Sequence, residues 1–218
     1  MNTLLSSIIT VLLILILPIL VCVYFYNSAV NKDEAVFSAW AQVESNYQRR
    51  ADLIPNLVKT LSAFMNHERN TLESITTARA GDNQKMEQIM SLLMNASQDG
   101  EQMMAENALV GITDKDFLQA YDVSQSKIGG LMNKLIATVE SYPELRSNDQ
   151  ILALQAQLEG SENRINIARI NYNQHVEAFN RSIRGIPGSF IASIGSFKRK
   201  EYFQSDNGSN ERVSVELD

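Results

Sequence analysis

The sequence predicts an all-α protein: a long antiparallel helical bundle of three to four helices, carried on an N-terminal single transmembrane helix. Three observations predict it. An uncharged, strongly apolar run fills residues Leu4 to Tyr26. Two long stretches behind it space their apolar side chains in alternating steps of three and four, the repeat of a helix seam. Glutamine, asparagine, alanine, leucine, isoleucine and methionine dominate, and aromatic residues are few, a composition that suits long helices.

The N-terminal run, "LLSSIITVLLILILPILVCVYFY", reaches about 35 Å as a helix, enough to cross a bilayer core with some tilt. Tyr24, Phe25 and Tyr26 close it, as an interfacial aromatic belt does. Pro18 is tolerable in a membrane helix. A cleaved signal peptide would have a basic start and a shorter apolar core. A lipoprotein signal would place a small residue before Cys22, where Val21 stands. The run is therefore read as an uncleaved, single-pass anchor in the cell (inner) membrane. Lys32, Arg49 and Arg50 follow the span and no basic residue precedes it, which favours a cytoplasmic bundle.

Beyond the span, Val36, Trp40, Val43, Tyr47, Arg50, Ile54, Leu57, Leu61 and Phe64 form a heptad seam. It predicts one long helix to about Arg79, with a kink at Pro55 that bends it near Asp52. "RAGDN" at 79–83 reads as a turn. Met86, Ile89, Met90, Leu93 and Met94 then share a helical face. Such a stripe usually fills a core, but methionines also make adaptable contacts, so Met86, Met90 and Met94 stand as a candidate partner surface. "SQDGE" at 97–101 reads as a weak break before a short helix through Val110. "TDKD" at 113–116 is a loose capping box opening the next helix. Its stripe is Ile128, Leu131, Leu135, Val139 and Tyr142, and Pro143 marks its end. Gly129 and Gly130 weaken its middle or admit a close neighbour.

The last long helix is expected from about Ser147 to Arg184, with Ile151, Leu154, Leu158, Ser161, Ile165, Ala168, Tyr172, His175 and Phe179 along its seam. "GIPGS" ends it, and "FIASIGSFKRKEYF" is expected to pack back along the bundle. The chain thus divides into a transmembrane helix at 4–26, a bundle domain at 27–203 and a flexible polar tail at 204–218.

Arg50 stands in the first seam, where a guanidinium is costly unless it is paired and hydrogen-bonded. Its partner is expected on the last helix. Glu162, Arg169, Asn173 and Asn180 lie on a stripe beside that seam, and Asn166, Asn173 and Asn180 repeat every seven residues. The expectation is an interhelical polar network of Arg50, Glu162, Arg169, Asn173 and Asn180 that fixes register at some cost in stability.

Chemistry is scarce. The chain of 218 residues has 2 histidines and 1 cysteine. Neither His67 nor His175 sits in the Glu-x-x-His arrangement of di-iron bundles. Cys22 lies in the span, and one cysteine admits no internal disulfide. No phosphate-binding loop occurs. The net charge of −6 provides no basic stripe for nucleic acid. No catalytic residue, metal, cofactor, nucleic acid or small-molecule substrate is expected.

Several stretches, in order, resemble the LemA family: "RRADLIPNLVKTL" (49–61), "HE" (67–68), "ARA" (78–80), "ESYPELRSN" (140–148), "LQAQLEGSENRINIARINYNQHVEAFN" (154–180) and "IPGSFIA" (186–192). The resemblance runs from about Tyr26 to Phe203, and the combination is specific although no single piece is. It implies a membrane anchor and a helical bundle, transfers no catalytic site, and points to scaffold or accessory roles in membrane complexes. Residues 83–121 depart from the pattern and look like an insertion. The expected function is a non-catalytic single-pass membrane scaffold or accessory subunit. Its expected partners are the lipid bilayer and other proteins, such as a membrane protease or further copies of itself. The alternative is a membrane-anchored signalling or sensor module with a cytoplasmic bundle.

Overall fold

In the computed structural model, the described residues are 2–71, 77–107, 111–140, 142, 145 and 148–204. Helix α1 spans Asn2–Thr71, α2 Thr77–Asn107, α3 Lys115–Glu140, α4 Asp149–Arg184 and α5 Gly188–Gly195, with a 3-10 turn at Gly111–Thr113. No strand occurs among the described residues. The polar tail beyond Gln204 lies outside them, as does Pro143.

Helix α1 is 70 residues long, about 105 Å at the usual rise. It stays helical through both Pro18 and Pro55. Pro55 removes one bond from the ladder without ending the helix, and Asn56 Nδ2 donates to Asp52 O at 3.3 Å. The apolar part of α1 is long and apolar enough to cross a membrane. Its leucines and isoleucines from Ile9 to Leu20 are exposed on every side, as they would be facing lipid.

Past Tyr26 the same helix enters the bundle. It packs along α4, while α2 packs along α3. The chain therefore runs out from the span, back, out and back again. The core has two apolar clusters. The membrane-proximal one gathers Val36, Trp40, Tyr47, Tyr121, Tyr172 and Phe179. The distal one gathers Ile54, Leu61, Met86, Met90, Leu135 and Leu158.

Four sequence expectations are corrected. The first long helix ends at Thr71 and not near Arg79, which lies in α2. "RAGDN" is not a turn, because residues 79–83 lie within α2. Asn83 is drawn into that helix by a tertiary bond, its Oδ1 accepting from the Tyr142 hydroxyl at 3.0 Å. "SQDGE" does not break α2 either. A Cβ at Gly100 would lie 2.9 Å from Gln125 Nε2, so this glycine admits the neighbouring helix α3. The methionine stripe offers no partner surface: Met86 and Met90 are 0% and 4% exposed, and Met94 packs on the distal cluster. A four-helix bundle needs the apolar face of α2 inside. Residues 83–121 thus build most of α2 and the start of α3, and they contribute to both clusters.

Caps fix the helix starts. Asp114 Oδ1 accepts from the backbone N–H of Asp116 and Phe117 at 2.9 and 3.3 Å, so the cap of α3 is one residue past Thr113. Asn148 caps α4 through Gln150 and Ile151 at 3.0 and 3.3 Å. After α4 the chain turns sharply. A Cβ at Gly188 would collide with the carbonyl oxygen of Ser182, so only glycine lets α5 fold against the end of α4.

Candidate functional site

The two apolar clusters meet at a polar layer halfway along the bundle. Each of the four long helices contributes to it at the same level: Arg50 from α1, Ser97 and Gly100 from α2, Gln125 from α3, and Ser161 and Glu162 from α4. Each falls one step between an apolar residue of one cluster and an apolar residue of the other. Tyr47 and Ile54 flank Arg50, and Tyr121 and Ile128 flank Gln125.

Arg50 is 3% exposed and is the hub of the layer. Its Nη1 donates to Glu162 Oε1, and its Nη2 donates to Gln125 Oε1 and, at 3.3 Å, to the Gln125 carbonyl. Its guanidinium carbon also lies 5.3 Å from the centre of the Tyr47 ring. Arg49, by contrast, is exposed. Arg169 forms a second pair beside the first, its Nη2 2.6 Å from Asp122 Oδ1. Two positive and two negative charges are thus matched across helices, and Arg50, the buried one of the four, is paired as a buried charge requires.

Asn173 and Asn180 do something else. They do not join Arg50 but bind the extended segment that follows α5. Asn180 Nδ2 donates to Lys200 O at 2.8 Å, and Asn180 Oδ1 accepts from Lys200 N at 3.0 Å. Asn173 repeats the pattern with Phe203, at 3.0 Å both ways. Each side-chain amide acts as a peptide group would in a sheet. The spacing matches: seven helical residues and three extended residues both advance about 10 Å. Asn166, next in the heptad, is exposed. Tyr172 adds a bond from its hydroxyl to Glu201 O at 3.0 Å, and Arg169 Nη2 donates to Gln204 O at 3.1 Å. Phe203 completes the lock by stacking on Trp40, ring centres 5.8 Å apart.

A polar cleft of about 230 Å³ opens from the layer between α3 and α4, lined by Tyr47, Arg50, Asn133, Glu162 and Arg169 among others. Gly129 and Gly130 lie on its wall. A Cβ at either would meet nothing within 4 Å, so they do not serve close helix approach. The Tyr47 hydroxyl is buried here without a hydrogen-bond partner among the described residues. Burial pushes its pKa up to about 12, against the lowering influence of Arg169 and Arg50. Burial also raises Tyr121 and Tyr172 well above the usual phenol range.

These phenols link stability to alkaline pH. For Tyr47 the folded state keeps its proton where the unfolded state, with a value near 10.0, loses it. The contribution is whole below pH 10.0 and is lost as pH rises toward about 12. The expected result is that Tyr47, Tyr121 and Tyr172 ionise together with unfolding. Tyrosinate absorbance followed alongside Trp40 emission measures this; ionisation of all three before any change at Trp40 would contradict it.

The geometry pairs charges and keeps phenols neutral. Among the described residues, no group of three or more His, Cys, Asp and Glu side chains lies close enough to hold a metal. On the outer side of the bundle, a groove of about 440 Å³ runs between α1 and α4, lined by Gln42, Asn46, Ile167, Ile170, Asn171 and Gln174. Ile167 and Ile170 are 59% and 58% exposed there. Sequence spacing around the α4 seam places both outside it.

Fold and site together define a membrane-associated, all-helical bundle protein with an internal polar layer. The LemA family model matches residues 39–217, and the chain belongs to the LemA family. It is similar to magnetosome protein MamQ 2 of Paramagnetospirillum magneticum (strain ATCC 700264 / AMB-1), with 29% identity over 82% of this chain and 64% of that protein. It is also similar to magnetosome protein MamQ of Magnetospirillum gryphiswaldense (strain DSM 6361 / JCM 21280 / NBRC 15271 / MSR-1), with 28% identity over the same shares. The chain thus spans about 64% of the length of these curated relatives.

Proposed function

We propose that the protein is a non-catalytic, single-pass scaffold or accessory subunit that holds a helical bundle at a membrane and presents it to protein partners. One observation carries the reading: α1 continues without a break from the apolar run into the bundle core. A continuous helix fixes the bundle relative to the bilayer, which suits presentation of a surface. The groove between α1 and α4 is the face offered, since Ile167 and Ile170 stand exposed among amide side chains that can bond a partner's backbone. Its location is the inner membrane with the bundle in the cytoplasm, supported by the basic residues that follow the span. The partner is a membrane protein, such as a protease, or a second copy of the chain. The relatives named as magnetosome proteins are in keeping with a membrane-bound accessory role.

A photo-crosslinking residue at position 167 or 170 of the full chain, in native membranes, tests this. Discrete protein adducts are expected there, and fewer from Leu152, which is exposed farther along α4. Equal, diffuse labelling from all three sites would remove the proposed face. The α3–α4 cleft and its buried Tyr47 hydroxyl favour one second reading, a signalling or sensor module. That reading requires ligand-dependent changes in accessibility at Gly129 and Gly130, where a pure scaffold shows none.

A further inference from the structure

The short helix α5 has a buried face and an apolar exposed face. Gly188 and Ile191 turn inward, while Phe190 and Ile194, four residues apart, are 61% and 64% exposed. Ile186, just before the helix, is 97% exposed. An exposed apolar row on so small an element is unusual in a surface that faces only water.

Its position explains the row. The end of α5 reaches the membrane end of the bundle. A Cβ at Gly195 would lie 3.1 Å from the Tyr26 ring, and Phe197 packs on that ring with centres 5.7 Å apart. Tyr26 closes the apolar run of α1. The chain then turns at Ser196, in the left-handed conformation with φ 54, and heads back down α4. Gly195 and Ser196 are thus the apex nearest the apolar run.

Charge follows the same geography. Arg181, Arg184, Lys198 and Arg199 are all exposed around α5. Arg181, Arg184 and Arg199, with Tyr202, border a groove of about 440 Å³. Arg181 is paired with Glu177. Lys200 is withdrawn from this rim: it is buried, with its Nζ 3.0 Å from Asp33 Oδ1 and 4.3 Å from the centre of the Phe37 ring. That contact ties the segment after α5 to α1 close to the apolar run.

We propose that α5 is a membrane-interface helix that seats on the surface of an anionic bilayer, inserting Ile186, Phe190 and Ile194 at headgroup depth. Arg184, Lys198 and Arg199 meet the lipid phosphates at its rim. Apolar residues on one face with basic residues beside them are what an interfacial helix needs. This inference rests on the reading of α1 as a membrane anchor. With α5 seated, the bundle touches the bilayer at two places and is held against tilting about the single span.

The test uses the full chain in vesicles of phosphatidylcholine with a minor share of phosphatidylglycerol. An environment-sensitive fluorophore is placed on native Cys22, or, in a Cys22→Ala background, on single cysteines from Phe190→Cys, Ile194→Cys or Ile167→Cys. Labels at 190 and 194 are expected to lose most of their emission to a lipid-borne quencher and to resist aqueous iodide, while the label at 167 behaves in the opposite way. If the Cys22 label is lipid-quenched but labels at 190 and 194 respond to iodide like that at 167, the seating of α5 is wrong and the anchor stands. Protection from both quenchers at 190 and 194 means that protein covers the face, which also overturns the proposal. A Cys22 label open to iodide overturns the anchor, and this inference with it.

Discussion

Glu162→Leu is expected to destabilise the bundle by about 3 kcal/mol, close to what removal of one partner from a buried ion pair costs. Arg50 is 3% exposed, so little water reaches it when its carboxylate is lost. Gln125 remains as its acceptor, which holds the loss short of the upper end of that range. The reverse change is milder. The Glu162 side chain is 43% exposed, so in Arg50→Met it is solvated while the methionine stem keeps much of the packing, and about 1 to 2 kcal/mol is lost. The double variant Arg50→Met/Glu162→Leu should lose less than the sum of the two, because no charge is then stranded. Trp40 is the only tryptophan of the chain and lies in the membrane-proximal core, so its emission reports bundle unfolding without interference from the span. Denaturation of the full chain in detergent, followed at Trp40, measures all three. A Glu162→Leu chain as stable as the parent, or losses that simply add, would mean that the layer contributes little.

Periodicity carried the architecture a long way. The fold class, the apolar run and the long outer helices follow from spacing alone, because each helix must bury one stripe. The errors have two causes, the exact course of the seam and local breaker residues. A strict heptad drifts around a straight helix by about 20° per repeat. Late in α4 Val176 is buried where the heptad gives His175, while in α3 the buried step from Ile128 is four residues, to Met132, with Leu131 only half-buried. Gln125 was missed for a related reason. The α3 stripe continues backward from Ile128 to Gln125 and Tyr121, but a polar residue ends an apolar count even when it is buried. The glycine at 100 looked like a breaker because local propensity charges about 1 kcal/mol for it, whereas contact with Gln125 makes it the residue that fits.

The asparagine ladder was half legible. Its seven-residue spacing is plain in the sequence, but its partner is an extended segment, which has no helical period to search for. The second large effect is expected here. Asn180 is 4% exposed and makes both of its bonds to one residue, Lys200. Asn180→Leu keeps the volume but strands a buried N–H and a buried carbonyl, each worth about 1 to 3 kcal/mol. The extended segment should loosen locally before the bundle unfolds, since Phe203 on Trp40 and Lys200 on Asp33 still hold its ends. Amide exchange at Lys200 should rise about fiftyfold, the equivalent of roughly 2 to 3 kcal/mol of local opening. Asn173→Leu should act in the same direction but less, because Asn173 is only half-buried. Hydrogen exchange resolved to residues 197–204 measures both. If Lys200 exchanges no faster in Asn180→Leu, the segment is held by its aromatic and ionic contacts, and the side-chain amides are dispensable. If it does exchange faster, α5 loses one of its ties to α4, and the anchoring of that helix depends on an amide that stands in for a strand.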